Sequence, residues 1–156
     1  MTTRHLVDIS SLTHGELRRI LDLSVSTKPI KKKPLSEKGV ALIFEKPSNR
    51  TRHSMEMAVF SHSVVERMTA VSSVPVINML SDMSHPLQAL ADIITMEEHC
   101  GPIASLTVAW LGDYNNVARS LGEAVCKLGG TISYGCPAGY HPDEKEIARL
   151  TSFGGV

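Results

Sequence analysis

Two short apolar runs, with a segment of helical spacing between them, constrain the fold of this chain more than any other feature. Residues 107–112 and 131–134 have the length and composition of β-strands, and residues 117–128 carry apolar side chains at helical intervals. Gly129 and Gly130 then supply a helix stop. Strands joined through a helix pair in parallel, so the pattern predicts a β-α-β unit.

The part of the chain before residue 105 has a similar alternation. Residues 39–44 form a continuous apolar run typical of a strand buried on both faces, and a helix is predicted from residue 52. Further predictions are a strand at 74–78 and helices at the following positions: 13–24, 63–70 and 86–99. We predict an α/β fold of two parallel-sheet, Rossmann-like β-α-β domains with a cleft between them, both incomplete: residues 1–104 and residues 105–156.

Charge and cysteine content narrow the class of protein. The 16 Lys and Arg residues are balanced by 16 Asp and Glu residues, so no net field favours nucleic acid or an anionic membrane. The basic segment 28–35 carries no aromatic residues, which favours a solvated connector over a nucleic-acid patch. No apolar run approaches the roughly 20 residues of a membrane span. Three cysteines without CxxC spacing suit reduced thiols better than a disulfide or zinc framework, so we expect a cytoplasmic protein without a metal site.

The loop after the first predicted strand has the composition of an anion site. Ser48, Asn49, Arg50 and Thr51 stand where a strand ends and a helix begins, so backbone N–H groups and the positive end of the helix dipole converge there. The hydroxyls and the guanidinium add donors suited to phosphate oxygens. The loop is equally compatible with an ordinary capped helix start that carries solvated arginines.

A second polar cluster opens the helix predicted at 86–99. His85 and Gln88 are three residues apart, on the same face of the first turn, and could address one ligand. An imidazole can donate to a carbonyl oxygen, and a glutamine carbonyl can accept from an amide nitrogen. Taken alone, however, His85 is better explained as a helix-start residue satisfied by backbone groups.

The third polar cluster lies after the strand predicted at 107–112, at the carboxyl end where open parallel sheets bind ligands. Asn115 and Asn116 could orient the polar groups of an amino acid, although asparagine at a helix start is more often a cap. The segment lacks GxGxxG, which makes a nucleotide-binding domain at Gly112 and Asp113 a weak alternative.

The identity and order of these clusters resemble the ornithine branch of the carbamoyltransferase family. The matching segments are Phe44-Glu-Lys-Pro-Ser-Asn-Arg-Thr-Arg, His85-Pro-Leu-Gln-Ala-Leu-Ala-Asp and Gly112-Asp-Tyr-Asn-Asn-Val-Ala-Arg-Ser-Leu. The resemblance implies transfer of a carbamoyl group from carbamoyl phosphate to L-ornithine, giving citrulline and phosphate in arginine biosynthesis or a urea-cycle-type step. It also implies a homotrimer and no cofactor.

The same resemblance assigns roles to individual residues. The phosphate of carbamoyl phosphate would be held by four residues of the first loop: Ser48, Asn49, Arg50 and Thr51. His85 and Gln88 would address the carbamoyl group, and Asn116, with Asn115 beside it, would face ornithine. Arg50 and His85 are the expected catalytic residues.

The sequence departs from the family pattern at single positions and in whole segments. Asn49 stands where the family usually has Thr, and Leu87 stands where the ornithine branch often has Cys. Val59 joins Phe60 directly, where the family has a crossover of roughly 30 or more residues, and the family's Asp-x-x-x-Ser-Met-Gly and His-Cys-Leu-Pro segments are not found. We therefore expect part of a longer enzyme. The alternatives are a non-catalytic relative that only binds phosphate or carbamoyl phosphate, and a sibling enzyme with another amine acceptor.

Overall fold

A computed structural model describes residues 3–26 and 61–154. In these ranges the chain forms helices α1 (His14–Ser24), α2 (His62–Val71), α3 (Pro86–Cys100), α4 (Asn116–Lys127) and α5 (Glu144–Thr151), and strands β1 (Thr107–Leu111) and β2 (Thr131–Gly135). Two short 3-10 helices cover Ile9–Ser11 and Ile103–Ser105. The strand predicted at 39–44, the phosphate loop and the helix after it lie outside the described residues.

The predicted β-α-β unit is confirmed. β1 and β2 pair in parallel, with Thr107 opposite Thr131 and Leu111 opposite Gly135, and α4 is the crossover. Gly129 ends the helix with a φ of 81°, a conformation that glycine adopts without strain. These elements confirm the α/β fold class.

The outer face of this two-stranded sheet is exposed. Side chains of β1 alternate between exposed and half-buried, and Leu111 at its end is 83% exposed. The half-buried side chains Val108, Trp110 and Ile132 pack on the core instead. In the described part of the chain, the sheet is therefore covered on one face.

The core lies between residues 6–21, α3 and α4. One cluster of buried apolar side chains joins Ile9, Leu12, Leu17, Leu21, Ala89, Leu90, Ile93, Ile103, Leu121, Ala124, Val125 and Leu128. Its members come from both sides of the predicted domain boundary at 104/105. Arg18 of α1 also pairs with Glu97 of α3 at 2.7 Å. The division into residues 1–104 and 105–156 stays a prediction.

The predicted helices agree with the structure, whereas one predicted strand does not. The four helices predicted in the described ranges before α5 occur within one or two residues of their predicted bounds. The strand predicted at 74–78 was wrong, because this segment makes a single parallel bridge, from Ile77 to Leu6. The N–H of Leu6 donates to Val76 and its carbonyl accepts from Asn78, so the segment is extended but too briefly paired to form a strand.

Among the residues that the structure describes, no helix is long and apolar enough to cross a membrane. The same residues contain no group of three or more His, Cys, Asp or Glu side chains placed to hold a metal ion.

Candidate functional site

The start of α3 carries the first of the predicted site residues that the structure describes. His85 is the N-cap residue of α3, and Pro86 occupies the first helical position. No described side chain caps this helix start. The backbone N–H of His85 instead donates to Ser120 Oγ at 2.9 Å, so a residue of α4 fixes the entry to α3.

The imidazole of His85 is half-buried. Burial lowers its pKa below the ordinary value, although the charge of Asp92 acts in the opposite direction. Its Nδ1 atom is inaccessible to solvent and finds no hydrogen-bond partner among the described residues. A neutral imidazole carries one N–H donor, which suits a hydrogen bond to a carbonyl oxygen.

Gln88 lies one turn further along α3, with an exposed side chain. Its amide nitrogen donates to Asp92 Oδ1 at 2.8 Å, an interaction between residues four apart on one helix. The carboxamide is therefore oriented along the helix surface by Asp92. A ligand at the start of α3 could still be reached by the carbonyl oxygen or by the second N–H of the same amide.

The start of α4 holds the two predicted asparagines, and both side chains already have partners. Asn115 is the N-cap: its Oδ1 accepts from the N–H groups of Val117 and Ala118. Asn116 Nδ2 donates to the carbonyl of Ser81 at 2.6 Å. Asn115 thus acts as a helix cap, the role that sequence reasoning weighed against ligand binding, whereas Asn116 ties α4 to the loop before α3.

The two helix starts meet through a network of buried polar groups in the loop 81–85. Ser81, Ser84 and Ser120 are fully buried. Ser81 Oγ is 2.8 Å from His62 Nδ1, and Ser84 Oγ is 3.1 Å from Ser120 Oγ. The structure therefore brings His85 and Asn116 to opposite sides of one hydrogen-bonded loop, which sequence spacing alone did not predict.

Behind this network lies a charged cluster that sequence analysis missed. Arg119 pairs with Asp8 at 3.0 Å, and Arg149 pairs with Glu123 at 2.7 Å and with Glu146 at 2.6 Å. Burial raises the pKa of Glu123 to about 8, and the neighbouring carboxyl of Asp8 acts in the same direction. Three carboxyl groups face two guanidinium groups, so retention of one proton leaves the cluster neutral.

The signal for these buried residues was present but weak. Ser120 belongs to the apolar face of α4 that carries Leu121, Ala124 and Val125, and Glu123 is fully buried on the same helix. Polar side chains on a helix face that otherwise packs into a core are satisfied by specific partners. Those partners come from positions far apart in sequence, such as Asp8 and His85, and could not be paired in advance.

The contacts described above do not include the predicted phosphate loop. Ser48, Asn49, Arg50 and Thr51 lie outside the described residues, so their placement relative to His85 is a prediction. A surface depression of about 460 Å³ is lined by Tyr114, Asp143, Glu146 and Arg149 among others, but neither His85 nor Asn116 lines it.

Comparison with known proteins matches both parts of the chain to one family. The family described as "Aspartate/ornithine carbamoyltransferase, carbamoyl-P binding domain" matches residues 4–64 and again residues 59–98. The family described as "Aspartate/ornithine carbamoyltransferase, Asp/Orn binding domain" matches residues 104–154. The two matches with the first domain overlap at 59–64.

Individual relatives agree with this match. The chain is similar to the ornithine carbamoyltransferase of Caulobacter vibrioides, with 34% identity over 203 residues, 97% of this chain and 65% of that protein. It is also similar to that of Parafrankia sp., with 36% identity over 203 residues, 100% of this chain and 64% of that protein. The chain thus spans about two thirds of the length of these relatives, and slightly less in each case.

Solved structures show the same likeness at the level of the fold. Ornithine carbamoyltransferase from Pyrococcus furiosus has a TM-score of 0.81 and 32% identity, covering 99% of this chain and 65% of that one. The Thermus thermophilus structure has a TM-score of 0.77 and 33% identity, covering 94% and 66%. With both domain families matched in order along the sequence, the chain belongs to the aspartate/ornithine carbamoyltransferase family.

Proposed function

We propose that this protein binds carbamoyl phosphate at the start of α3 and transfers its carbamoyl group to L-ornithine, giving L-citrulline and phosphate. The observation that carries the proposal is that the starts of α3 and α4 are bonded to each other. The N–H of His85, just before α3, donates to Ser120 of α4, and the amide of Asn116, at the start of α4, donates to Ser81 in the loop before α3. These starts belong to segments matched by the carbamoyl-phosphate-binding and Asp/Orn-binding domains respectively.

The donor half of the reaction rests on His85 and Arg50. A neutral His85 can donate one hydrogen bond to the carbamoyl oxygen as negative charge develops there. Arg50, with the hydroxyls of Ser48 and Thr51, would neutralise the departing phosphate. The neutral δ-amine of ornithine attacks the carbonyl carbon, the bond from that carbon to the phosphate oxygen breaks, and the amine loses one proton. Rate acceleration would come from positioning and charge stabilisation.

The acceptor half of the site rests on Asn116, whose side-chain amide is partly engaged within the protein. Its amide nitrogen donates to Ser81 and its Oδ1 accepts from the N–H of Val117 at 3.0 Å. The amide keeps a second N–H and the oxygen a second lone pair, so Asn116 can contact ornithine without losing the bond to Ser81. Asn115 would act on ornithine only indirectly, by fixing the first turn of α4.

The length of the matched region favours a second candidate function, which is binding without catalysis. The alignment with the Caulobacter relative runs over 203 residues, whereas the whole chain has 156, so that relative carries residues without a counterpart here. The overlapping matches at 59–64 support the predicted omission of a crossover near Val59 and Phe60. If residues of the acceptor site are among those without a counterpart, the protein binds carbamoyl phosphate or phosphate without catalysis. A sibling enzyme with another amine acceptor is the third reading.

A citrulline assay combined with calorimetric titration of carbamoyl phosphate separates these functions. We expect citrulline formation in the purified protein, and its loss in Arg50→Ala but not in Arg67→Ala, an exposed arginine of α2 that serves as the matched control. Binding without citrulline would support the binding-only relative. Failure of the protein to bind carbamoyl phosphate, or near-normal turnover in Arg50→Ala, would contradict the proposed donor site.

The assembly, location and pathway are proposals that follow from the family resemblance. We propose a homotrimer, or a multiple of trimers, working in the cytoplasm in arginine biosynthesis or a urea-cycle-type step. Sedimentation equilibrium of the purified protein tests the first part, and a monomer at micromolar concentration would contradict it.

A further inference from the structure

Ser120 makes the contact that joins the start of α3 to α4. Its side chain is fully buried, and its Oγ accepts the backbone N–H of His85 at 2.9 Å. The same Oγ is 3.1 Å from Ser84 Oγ, which in turn is 3.2 Å from Asp8 Oδ1. Because Ser84 donates its one proton to Asp8, the Ser120 hydroxyl donates to Ser84. A directed chain of hydrogen bonds thus runs from His85 through two serines to a carboxylate.

The backbone N–H of His85, just before α3, has no partner within the helix. His85 precedes Pro86, and its φ of −135° and ψ of 66° lie outside the helical region. Rotation about its N–Cα bond turns Cβ and the carbonyl carbon together, so it would move the imidazole relative to the loop 81–85. The hydrogen bond from its N–H to Ser120 holds the peptide plane before His85 and so fixes the position from which the imidazole projects.

We propose that Ser120 is a positioning residue for His85, holding the imidazole in the orientation that addresses the carbamoyl group. The proposal rests on the proposed function for its role in binding, although the orientation of His85 can be measured without ligand. Asn116, one turn earlier on α4, holds the carbonyl of Ser81 at the other end of the same loop. α4 therefore fixes both ends of the loop 81–85, and a shift of α4 on acceptor binding would move His85.

The matched control is Ser84→Ala. Ser84 and Ser120 are both fully buried serines of the same chain of hydrogen bonds, so removing either hydroxyl costs a similar amount of stability. Ser120→Ala leaves the N–H of His85 without its acceptor, whereas Ser84→Ala leaves that bond in place. Ser120→Cys fills the same space with a weaker acceptor. It replaces Ser120→Ala as the test variant if the alanine variant does not fold.

The experiment measures the imidazole resonances and titration of His85 by NMR, with histidine ring carbons labelled and His85→Gln used for assignment. We expect Ser120→Ala to shift the His85 ring resonances and to weaken carbamoyl-phosphate binding about five- to tenfold, the loss of one hydrogen bond. Ser84→Ala should change the affinity less than about twofold, and Ser120→Cys should fall between the two.

The outcomes separate this proposal from the proposed function. Equal changes in Ser120→Ala and Ser84→Ala, or unchanged His85 resonances in Ser120→Ala, would overturn the positioning role. If the unaltered protein does not bind carbamoyl phosphate but Ser120→Ala alone shifts the His85 resonances, the positioning of His85 is upheld and the proposed function fails.

Discussion

The starts of α3 and α4 are both helix N-termini beside the same polar loop, yet they satisfy their backbone groups in different ways. α4 is capped from within: Asn115 accepts from two N–H groups of its first turn. α3 begins with His85 and Pro86 and has no cap from the described side chains. The comparison indicates that the N-terminal backbone groups of α4 are satisfied by its own cap. The start of α3 keeps backbone and imidazole groups that a ligand can still engage.

The largest expected effect concerns the charged cluster that supports α4. The raised pKa of Glu123, about 8 against 4.5 for the ordinary carboxyl, means that the folded protein keeps a proton that the unfolded chain loses. The resulting stabilisation is fully present below about pH 4.5 and is lost as pH rises through about 8. We expect the unfolding free energy to fall by more than ~1.4 kcal/mol between those limits, the equivalent of one pKa unit.

Glu123→Gln isolates this contribution, because glutamine imitates the protonated carboxyl. The difference in unfolding free energy between the variant and the unaltered protein should grow in favour of the variant from about pH 5 to about pH 8. Urea unfolding at several pH values measures it, and His85, whose lowered pKa acts in the opposite sense, cancels in the difference. A constant difference across that range would mean that Glu123 is ionised when folded.

A smaller effect is expected for the cap of α4. Asn115→Ala removes the acceptor of two N–H groups and should lower the unfolding free energy by about 1 kcal/mol. Asn115→Asp keeps a capping oxygen at a helix N-terminus and is the matched control, with stability close to that of the unaltered protein. Denaturant midpoints measure both. Equal losses in the two variants would show that Asn115 does not act as a cap.

The smallest stability change is expected at the start of α3. His85→Ala keeps the backbone N–H that donates to Ser120 and removes an imidazole whose Nδ1 has no partner among the described residues, so the unfolding free energy should change by less than about 0.5 kcal/mol. Affinity for carbamoyl phosphate should nevertheless fall at least about tenfold. Calorimetry and urea unfolding of one preparation test both. If His85→Ala costs more stability than Asn115→Ala, the contrast between the two helix starts is wrong.

Local patterns predicted the elements but not the contacts between them. The glycine stop at Gly129 and the period of α4 depend on neighbours within a few residues, and the structure contains both. The segment 74–78 also has strand composition, but strand formation needs a partner over several residues, and Leu6 supplies a single bridge.

The candidate site divides in the same way. Sequence reasoning singled out His85, Gln88, Asn115 and Asn116 from their position at helix starts, and the structure shows that three of these side chains are engaged with other residues of the protein. It did not find Ser120 or Glu123, which accept from the backbone N–H groups of His85 and Ser10, 35 and 113 residues away. The partners of a buried polar side chain become known only from the tertiary structure.

The sequence by itself indicated the family, through the resemblance of three ordered motifs. It also determined the α/β class and the helix starts that carry polar residues, because these follow from local periodicity and cap residues. Tertiary structure alone decided that α4 anchors both ends of the loop before α3 and that three carboxyls gather around two arginines. The physical reason is that burial sets the strength of hydrogen bonds and charges, and burial arises only when distant segments pack together.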